Sequence, residues 1–180
     1  MNWQPRLAHD KDVPALAELI HVSSRALQAP YYSAAQIEAA LGPIFAVDRQ
    51  LIRDDTYFVV EQSNTIVGCG GWSKRKSLYG GDSERPTEDA MLDPTRDAAR
   101  IRAFFVHPSC ARRGIGKSIL YACERAIVSA QFMTADLVAT LPGEPLYAAL
   151  GYAVVERYEI PMANGLSLPV VRMSKSFAAS

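Results

Sequence analysis

The sequence predicts an α/β fold of the α+β kind, built on a mixed, mostly antiparallel sheet. Three observations carry this. Apolar stripes at helical spacing alternate with short β-branched and aromatic runs. Two pairs of such runs are joined by turn-forming residues, Ser63-Asn64 and Ala163-Asn164-Gly165, the pattern of antiparallel hairpins. Between the hairpins, a strand from Arg100 runs through a glycine-containing loop into a helix and a further strand.

Taken in order, Trp3 to His9 reads as the first strand, and Asp12 and Pro14 suit the cap and first turn of a helix. Val13, Leu16, Leu19, Ile20 and Leu27 form its apolar stripe, and Ala29-Pro30 stops it, leaving Tyr31-Tyr32 in the connection. A second helix starts near Ser33 and carries Ile37, Leu41, Ile44 and Phe45, with Gly42-Pro43 as a kink or break. The period then changes: Thr56 to Glu61 and Thr65 to Trp72 form the first hairpin. Ser77 to Ala99, rich in Gly, Pro and acids, reads as a long loop. Arg100 to Val106 is a strand, and the helix from Gly116 places Leu120, Cys123, Ile127 and Ala130 toward a core. Ala135 to Leu141 is a strand, Pro145 to Leu150 a short helix ended by Gly151, and Tyr152 to Pro161 pairs with Leu168 to Met173. The sum is about seven strands and about four helices in a single domain over residues 1–180.

A chain of this length hides roughly 70% of its unfolded surface, enough for a core without staples. Lys plus Arg and Asp plus Glu both number 19, so the net charge is zero, which argues against a nucleic-acid partner and for a small substrate. The charged N-terminus and the absence of any run of about 18 apolar residues predict a cytoplasmic protein that does not enter membranes. Cys69, Cys110 and Cys123 have no C-x-x-C spacing, so no disulfide framework or zinc site is expected. Cys69 and Cys123 read as buried thiols and Cys110, in the loop, as open to exposure. His9, His21 and His107 lack metal-ligand spacing, and no metal is expected.

The segment CARRGIGKSIL, Cys110 to Leu120, carries the chemistry. A strand ends, glycines let the backbone approach a phosphate, and free N–H groups at a helix start point at the anion. Gly116-Lys117-Ser118 resembles the end of a nucleotide P-loop, but that loop needs glycine at the position of Ala111 for its tight turn. It also needs a later strand ending in a metal-binding Asp, whereas Asp136 starts its strand.

The run FFVHPSCARRGIGKSIL instead resembles the acetyl-CoA loop of the GNAT superfamily of N-acetyltransferases, and LYAALGY, Leu146 to Tyr152, resembles that family's second motif. The order of elements matches over nearly the whole chain. Ala111 departs from the usual Gln or Arg, but the bonds in such a loop come largely from backbone N–H groups, and Arg112 and Arg113 can supply charge.

The resemblance implies two central parallel strands that splay apart, here Arg102 to Val106 and Ala135 to Leu141, with the cofactor arm pairing in the gap. Phe104, Phe105 and Val106 would then offer backbone groups to acetyl-CoA, and Arg112, Arg113, Gly114, Ile115, Gly116, Lys117 and Ser118 would hold its pyrophosphate. It implies direct attack by a primary amine of a small-molecule acceptor, with Tyr147 as general acid to the leaving sulfur; a phenol of pKa near 10 suits that role. The base stays open among Glu84, Glu88, Asp89, Glu156, Glu159 and a water chain, because the strand RIRAFFV lacks the glutamate that members often place there. Substrate choice would reside in variable loops: the acidic segment Asp82 to Asp97 reads first as a solvated charged loop and second as attraction for a cationic amine, and Tyr31, Tyr32, Trp72 and Tyr79 read equally as pocket lining or as buried packing. An edge strand leaves room for a homodimer. A binding protein for acyl-CoA without catalysis is the alternative reading.

Overall fold

The computed structural model describes residues 2–84 and 89–178. Among them, seven strands form one sheet with five α-helices packed on it, an α+β fold. The sheet order is β1-β2-β3-β4-β5-β7-β6. β1 is Arg6–Leu7, β2 Tyr57–Gln62, β3 Thr65–Ser73, β4 Ala99–Val106, β5 Thr134–Thr140, β6 Ala153–Pro161 and β7 Ser167–Ser176.

The first strand is shorter than the sequence predicts. Pro5 has no N–H to give a ladder, and Trp3 leaves the sheet to pack in the core, its indole N–H donating to the Arg113 carbonyl at 2.7 Å. Helix α1, Val13–Leu27, starts at Asp12 as expected, though that carboxylate does not cap it; it pairs with Arg6 at 2.8 Å. Helix α2, Ala34–Ala40, opens on a capping box in which Ser33 and Gln36 satisfy each other's N–H groups. Gly42, at φ 100°, breaks the chain there, so Leu41, Ile44 and Phe45 lie beyond the helix. Helix α3, Arg49–Arg53, was not foreseen: at five residues it is too short to show a period, and its signal is the Asp48 cap, which accepts the Leu51 N–H at 3.2 Å.

Both hairpins form, with left-handed backbone at Ser63 and Asn64 in the first and at Asn164 and Gly165 in the second. Helix α4, Ile115–Ser129, begins one residue earlier than predicted, and α5 spans Glu144–Ala149. Helix α4 packs over one face of the sheet with Ile115, Ile119, Cys123 and Ile127, and α5 adds Tyr147 to the same core. Helices α1 and α2 cover the other face, joining Leu16, Ile20 and Ile37 to Tyr57, Phe105 and Leu168.

Two irregularities in the middle of the sheet set up the site. β4 and β5 pair in parallel only at Ala99–Ala135, Arg100–Asp136 and Ile101–Leu137, then part, as the predicted splay requires. β5 keeps its other edge paired with β7 from Thr134 to Thr140, so the gap lies on the β4 side. In β4 the ladder with β3 shifts between Cys69 and Gly71, where Ala103 takes φ 64°, a conformation rare for a residue with a side chain. Its carbonyl lies 3.4 Å from the Tyr57 hydroxyl and 3.6 Å from the Cys69 thiol, and those donors hold the bulge.

Gly70 lies opposite this bulge. A Cβ there would sit 2.5 Å from Cδ2 and 2.7 Å from Cγ of Phe104, so the whole ring, not only its tip, would have to move. Gly70→Ala is therefore expected to destabilise the protein by about 1–3 kcal/mol, the cost of overpacking, as a lower midpoint in denaturant unfolding. An unchanged midpoint would mean that the Phe104 ring has another place to go.

Candidate active site

Where β4 and β5 separate, a cleft of about 640 Å³ passes through the sheet, since its walls draw on both cores. Ile115, Tyr147 and Ala139 come from the α4 face, and Phe45, Leu168 and Val170 from the α1–α2 face. Beyond Ile101 and Leu137 the facing edges of β4 and β5 have no strand partner in each other. A third extended chain fits such a gap.

At the α4 mouth, β4 ends in His107-Pro108, and a 3₁₀ turn over Pro108–Cys110 follows, held by the Cys110 N–H to the His107 carbonyl at 2.9 Å. That turn folds Cys110 inward, its thiol donating to Gln62 at 3.3 Å, so the exposure considered for Cys110 is corrected to burial. Cys69 and Cys123 are buried, and burial raises both thiols above their usual pKa. Ala111 takes φ −60°, ψ 150°, which any residue adopts; the turn does not need glycine there. Left-handed backbone follows at Arg112 (φ 63°) and Gly114 (φ 87°). A Cβ on Gly114 would meet nothing closer than Trp3 at 4.0 Å, so glycine serves conformation there; at Gly116 a Cβ would meet Leu146 at 3.0 Å.

The first backbone bond of α4 runs from the Ser118 N–H to the Gly114 carbonyl, 3.0 Å, which leaves the N–H groups of Ile115, Gly116 and Lys117 directed out of the helix start. With the helix dipole this is a place for an anion. Arg112, Gly114, Ile115, Gly116 and Lys117 line the cleft, but Arg113 and Ser118 do not. Arg113 stacks on Trp3 at 5.9 Å, and the Ser118 hydroxyl donates back to the Ile115 carbonyl at 3.0 Å.

Phe104, Phe105 and Val106 all line the cleft. Phe105 packs edge-on to Phe45 on one side, and Phe104 edge-on to Tyr147, 6.0 Å between centroids, on the other. Tyr147 is itself held between Phe104 and Tyr152 and lines the cleft; its hydroxyl has no hydrogen-bond partner among the described residues. Burial, with a smaller contribution from Cys123, raises this phenol above its usual pKa.

The acids foreseen as bases do not gather here. Glu88 and the Glu84 side chain lie outside the described residues. Asp89 accepts the Ser77 N–H at 3.0 Å, Glu159 accepts the Ser167 hydroxyl at 3.0 Å, and Glu156 is exposed beside Arg172 in the β6–β7 ladder; none lines the cleft. The carboxylate that does was missed: Asp48, paired with Arg102 at 2.8 Å, with Arg102 also donating to the Ser77 carbonyl. The residues are 54 apart in sequence, and only the capping position of Asp48 is legible locally.

The aromatic candidates divide. Tyr31 and Tyr79 line the cleft, whereas Tyr32 is buried, donating to the Pro169 carbonyl at 2.6 Å and accepting the Leu141 N–H at 2.9 Å. Trp72 is core, packed on Phe132. In the acidic segment, Asp82 meets the Arg49 N–H and Asp93 meets Thr95 and Arg96. Among the described residues no cluster of metal-binding side chains occurs, and no helix is long and apolar enough to cross a membrane.

Comparison with known proteins adds the family. Solved structures share the architecture over nearly the full chain. A GCN5-related N-acetyltransferase of Rhodopseudomonas palustris superposes with a TM-score of 0.72 at 19% identity, covering 98% of this chain and 97% of that one. PaiA N-acetyltransferase of Thermoplasma acidophilum, in complex with coenzyme A, gives 0.65 at 15% identity, covering 98% and 100%. YncA of Salmonella typhimurium, with its cofactor acetyl-CoA, gives 0.64 at 13% identity, covering 98% and 94%. No curated protein sequence matches. The acetyltransferase (GNAT) domain matches residues 53–154, more than half of the chain, a span that holds the splayed strands, the loop at the start of α4 and Tyr147. By that match the chain belongs to the GNAT acetyltransferase domain family.

Proposed function

We propose that the chain, acting as one domain, transfers an acetyl group from acetyl-CoA to the primary amine of a small molecule by direct attack. The observation that carries this reading is the cleft through the sheet, with an anion-binding helix start at one mouth and, in its wall, a phenol that has no hydrogen-bond partner among the described residues. Residues Arg112 to Lys117 fit a pyrophosphate, because the N–H groups of Ile115, Gly116 and Lys117 are free to bind it and two cations border them. The open edge of β4 from Phe104 to Val106 fits the amide-bearing arm. Bound acetyl-CoA supplies the thioester carbon that the amine nitrogen attacks, and the C–S bond breaks with its electron pair leaving on sulfur. Tyr147 gives its hydroxyl proton to that sulfur. The amine proton leaves toward solvent through the cleft, since Asp48, the carboxylate in its wall, is bound to Arg102. The bound coenzyme seen in PaiA and YncA supports the choice of co-substrate.

Thermal unfolding with CoA, acetyl-CoA and Mg-ATP tests the reading. CoA and acetyl-CoA at 100 times their Kd are expected to stabilise by about 2.7 kcal/mol, and Mg-ATP by nothing. Stabilisation by Mg-ATP alone would sink it. Release of free CoA thiol over an amine panel then reports turnover; binding without turnover on any amine would leave an acyl-CoA-binding protein.

A further inference from the structure

The mouth of the cleft opposite the anion-binding loop is built by three segments. These are the C-terminal end of α1 with the turn after it, residues 78–80 and the β6–β7 hairpin: Leu27, Tyr79 and Ile160 line the same cleft, and the Tyr32 hydroxyl, just after α1, reaches the Pro169 carbonyl of β7. Its walls are apolar, with Leu27, Phe45, Ile160 and Leu168 on them. The charged side chains lining this end are Asp48 and Arg102, which are buried and pair with each other, whereas Arg112 and Lys117 sit at the other mouth. A polycationic acceptor would find no uncompensated carboxylate here among the described residues, and a sugar would find few partners for its hydroxyls.

Two features point to a ligand. Tyr31 and Tyr79 line the cleft yet stay 52% and 40% exposed, so two aromatic faces stand at the opening. Gln28, 8% exposed and also in the cleft wall, has an Oε1 that is buried with no hydrogen-bond partner. A buried carboxamide oxygen without a donor is costly, and an incoming N–H satisfies it.

We infer that the acceptor is a small primary amine carried on an apolar, ring-sized body, which packs on Tyr31 and Tyr79 while its nitrogen donates to Gln28. The inference rests on the acetyl-transfer reading and narrows its substrate class. The ring displaces water from the two tyrosines, and the unsatisfied Gln28 oxygen in the wall selects for a donor. The body stays small because it shares one cleft of about 640 Å³ with the acyl end of the coenzyme.

Steady-state release of CoA thiol with phenethylamine, ethanolamine and spermidine tests it. Phenethylamine is expected to exceed each of the others in kcat/KM by about tenfold or more. Tyr79→Ala is expected to raise its KM about tenfold while leaving the KM for acetyl-CoA unchanged, and Gln28→Leu to do the same. Preference for spermidine or ethanolamine, or wild-type KM in Tyr79→Ala, would overturn the assignment. If none of the three is turned over, calorimetry of phenethylamine on the CoA-loaded protein decides: binding that Tyr79→Ala weakens supports it, and no binding overturns it. Failure of acetyl-CoA itself to bind is a different result, which defeats the acetyl-transfer reading and the acceptor class with it.

Discussion

Tyr147→Phe is expected to lower kcat by about 10²-fold or more while acetyl-CoA affinity stays within about twofold, because the variant removes one proton donor and keeps the ring. The ring carries the packing, edge-on to Phe104 at 6.0 Å and to Tyr152 at 5.9 Å, so stability should hardly change. The hydroxyl has no hydrogen-bond partner among the described residues, and its loss orphans none of them. A phenol raised above its usual 10.0 is a weak acid, and its fitness for the role depends on what it must protonate. The same burial pushes the neighbouring Cys123 thiol up as well, so a sulfur anion against this wall is also made more basic. Both anions are penalised, so a proton shared between the phenol and the departing sulfur keeps a full charge off either atom. The sign for pH follows. The protonated phenol is the active form, present below its pKa and lost as pH rises through it; with that pKa raised, kcat should show no fall attributable to Tyr147 up to pH 10.0. Parent-like kcat in Tyr147→Phe would make the residue a packing tyrosine.

The parts of the site that were legible in the sequence are those with a local cause. Gly114 and Gly116 mark a loop and a helix start within a few residues, Asn64 and Gly165 mark hairpin turns, and Leu120, Cys123 and Ile127 show the period of α4. The parts that were not legible depend on residues far apart. Nothing near Ala103 announces a left-handed bulge; it exists because Tyr57 of β2 and Cys69 of β3 hold its carbonyl. Trp3 reads as an ordinary strand residue until its indole is found on the Arg113 carbonyl, 110 positions away, where it ties the N-terminus to the anion-binding loop. The acidic segment reads first as a solvated charged loop and only second as attraction for a cationic amine; charge along a sequence does not tell which carboxylates are already bound to N–H groups, and Asp82, Asp89 and Asp93 are.

Asp48→Ala carries the largest expected loss of stability, about 3–5 kcal/mol, because it removes a buried carboxylate bound to the buried Arg102 guanidinium. The side chains are 1% and 4% exposed, and the Asp48 Oδ2 to Arg102 Nε distance is 2.8 Å. The other carboxylate oxygen caps α3 through the Leu51 N–H, and a lost cap contributes about 1 kcal/mol of its own, not independently of the first. Asp48→Asn keeps an acceptor for the cap and removes the charge, so it should fall between the parent and Asp48→Ala. Replacing both partners, Asp48→Leu with Arg102→Met, should recover much of the loss, because an apolar pair incurs no desolvation penalty. Recovery in stability should not bring recovery in function. Arg102 also donates to the Ser77 carbonyl, next to Leu78 and Tyr79 in the cleft wall, so the double variant loses the hold on that wall even when it folds well. The expected result is a denaturant midpoint near the parent's with a raised KM for the amine and an unchanged KM for acetyl-CoA. A double variant that recovers both midpoint and amine KM would reduce the pair to a replaceable part of the core, and a loss under about 1 kcal/mol in Asp48→Ala would mean that other groups or water around Arg102 take the place of the carboxylate.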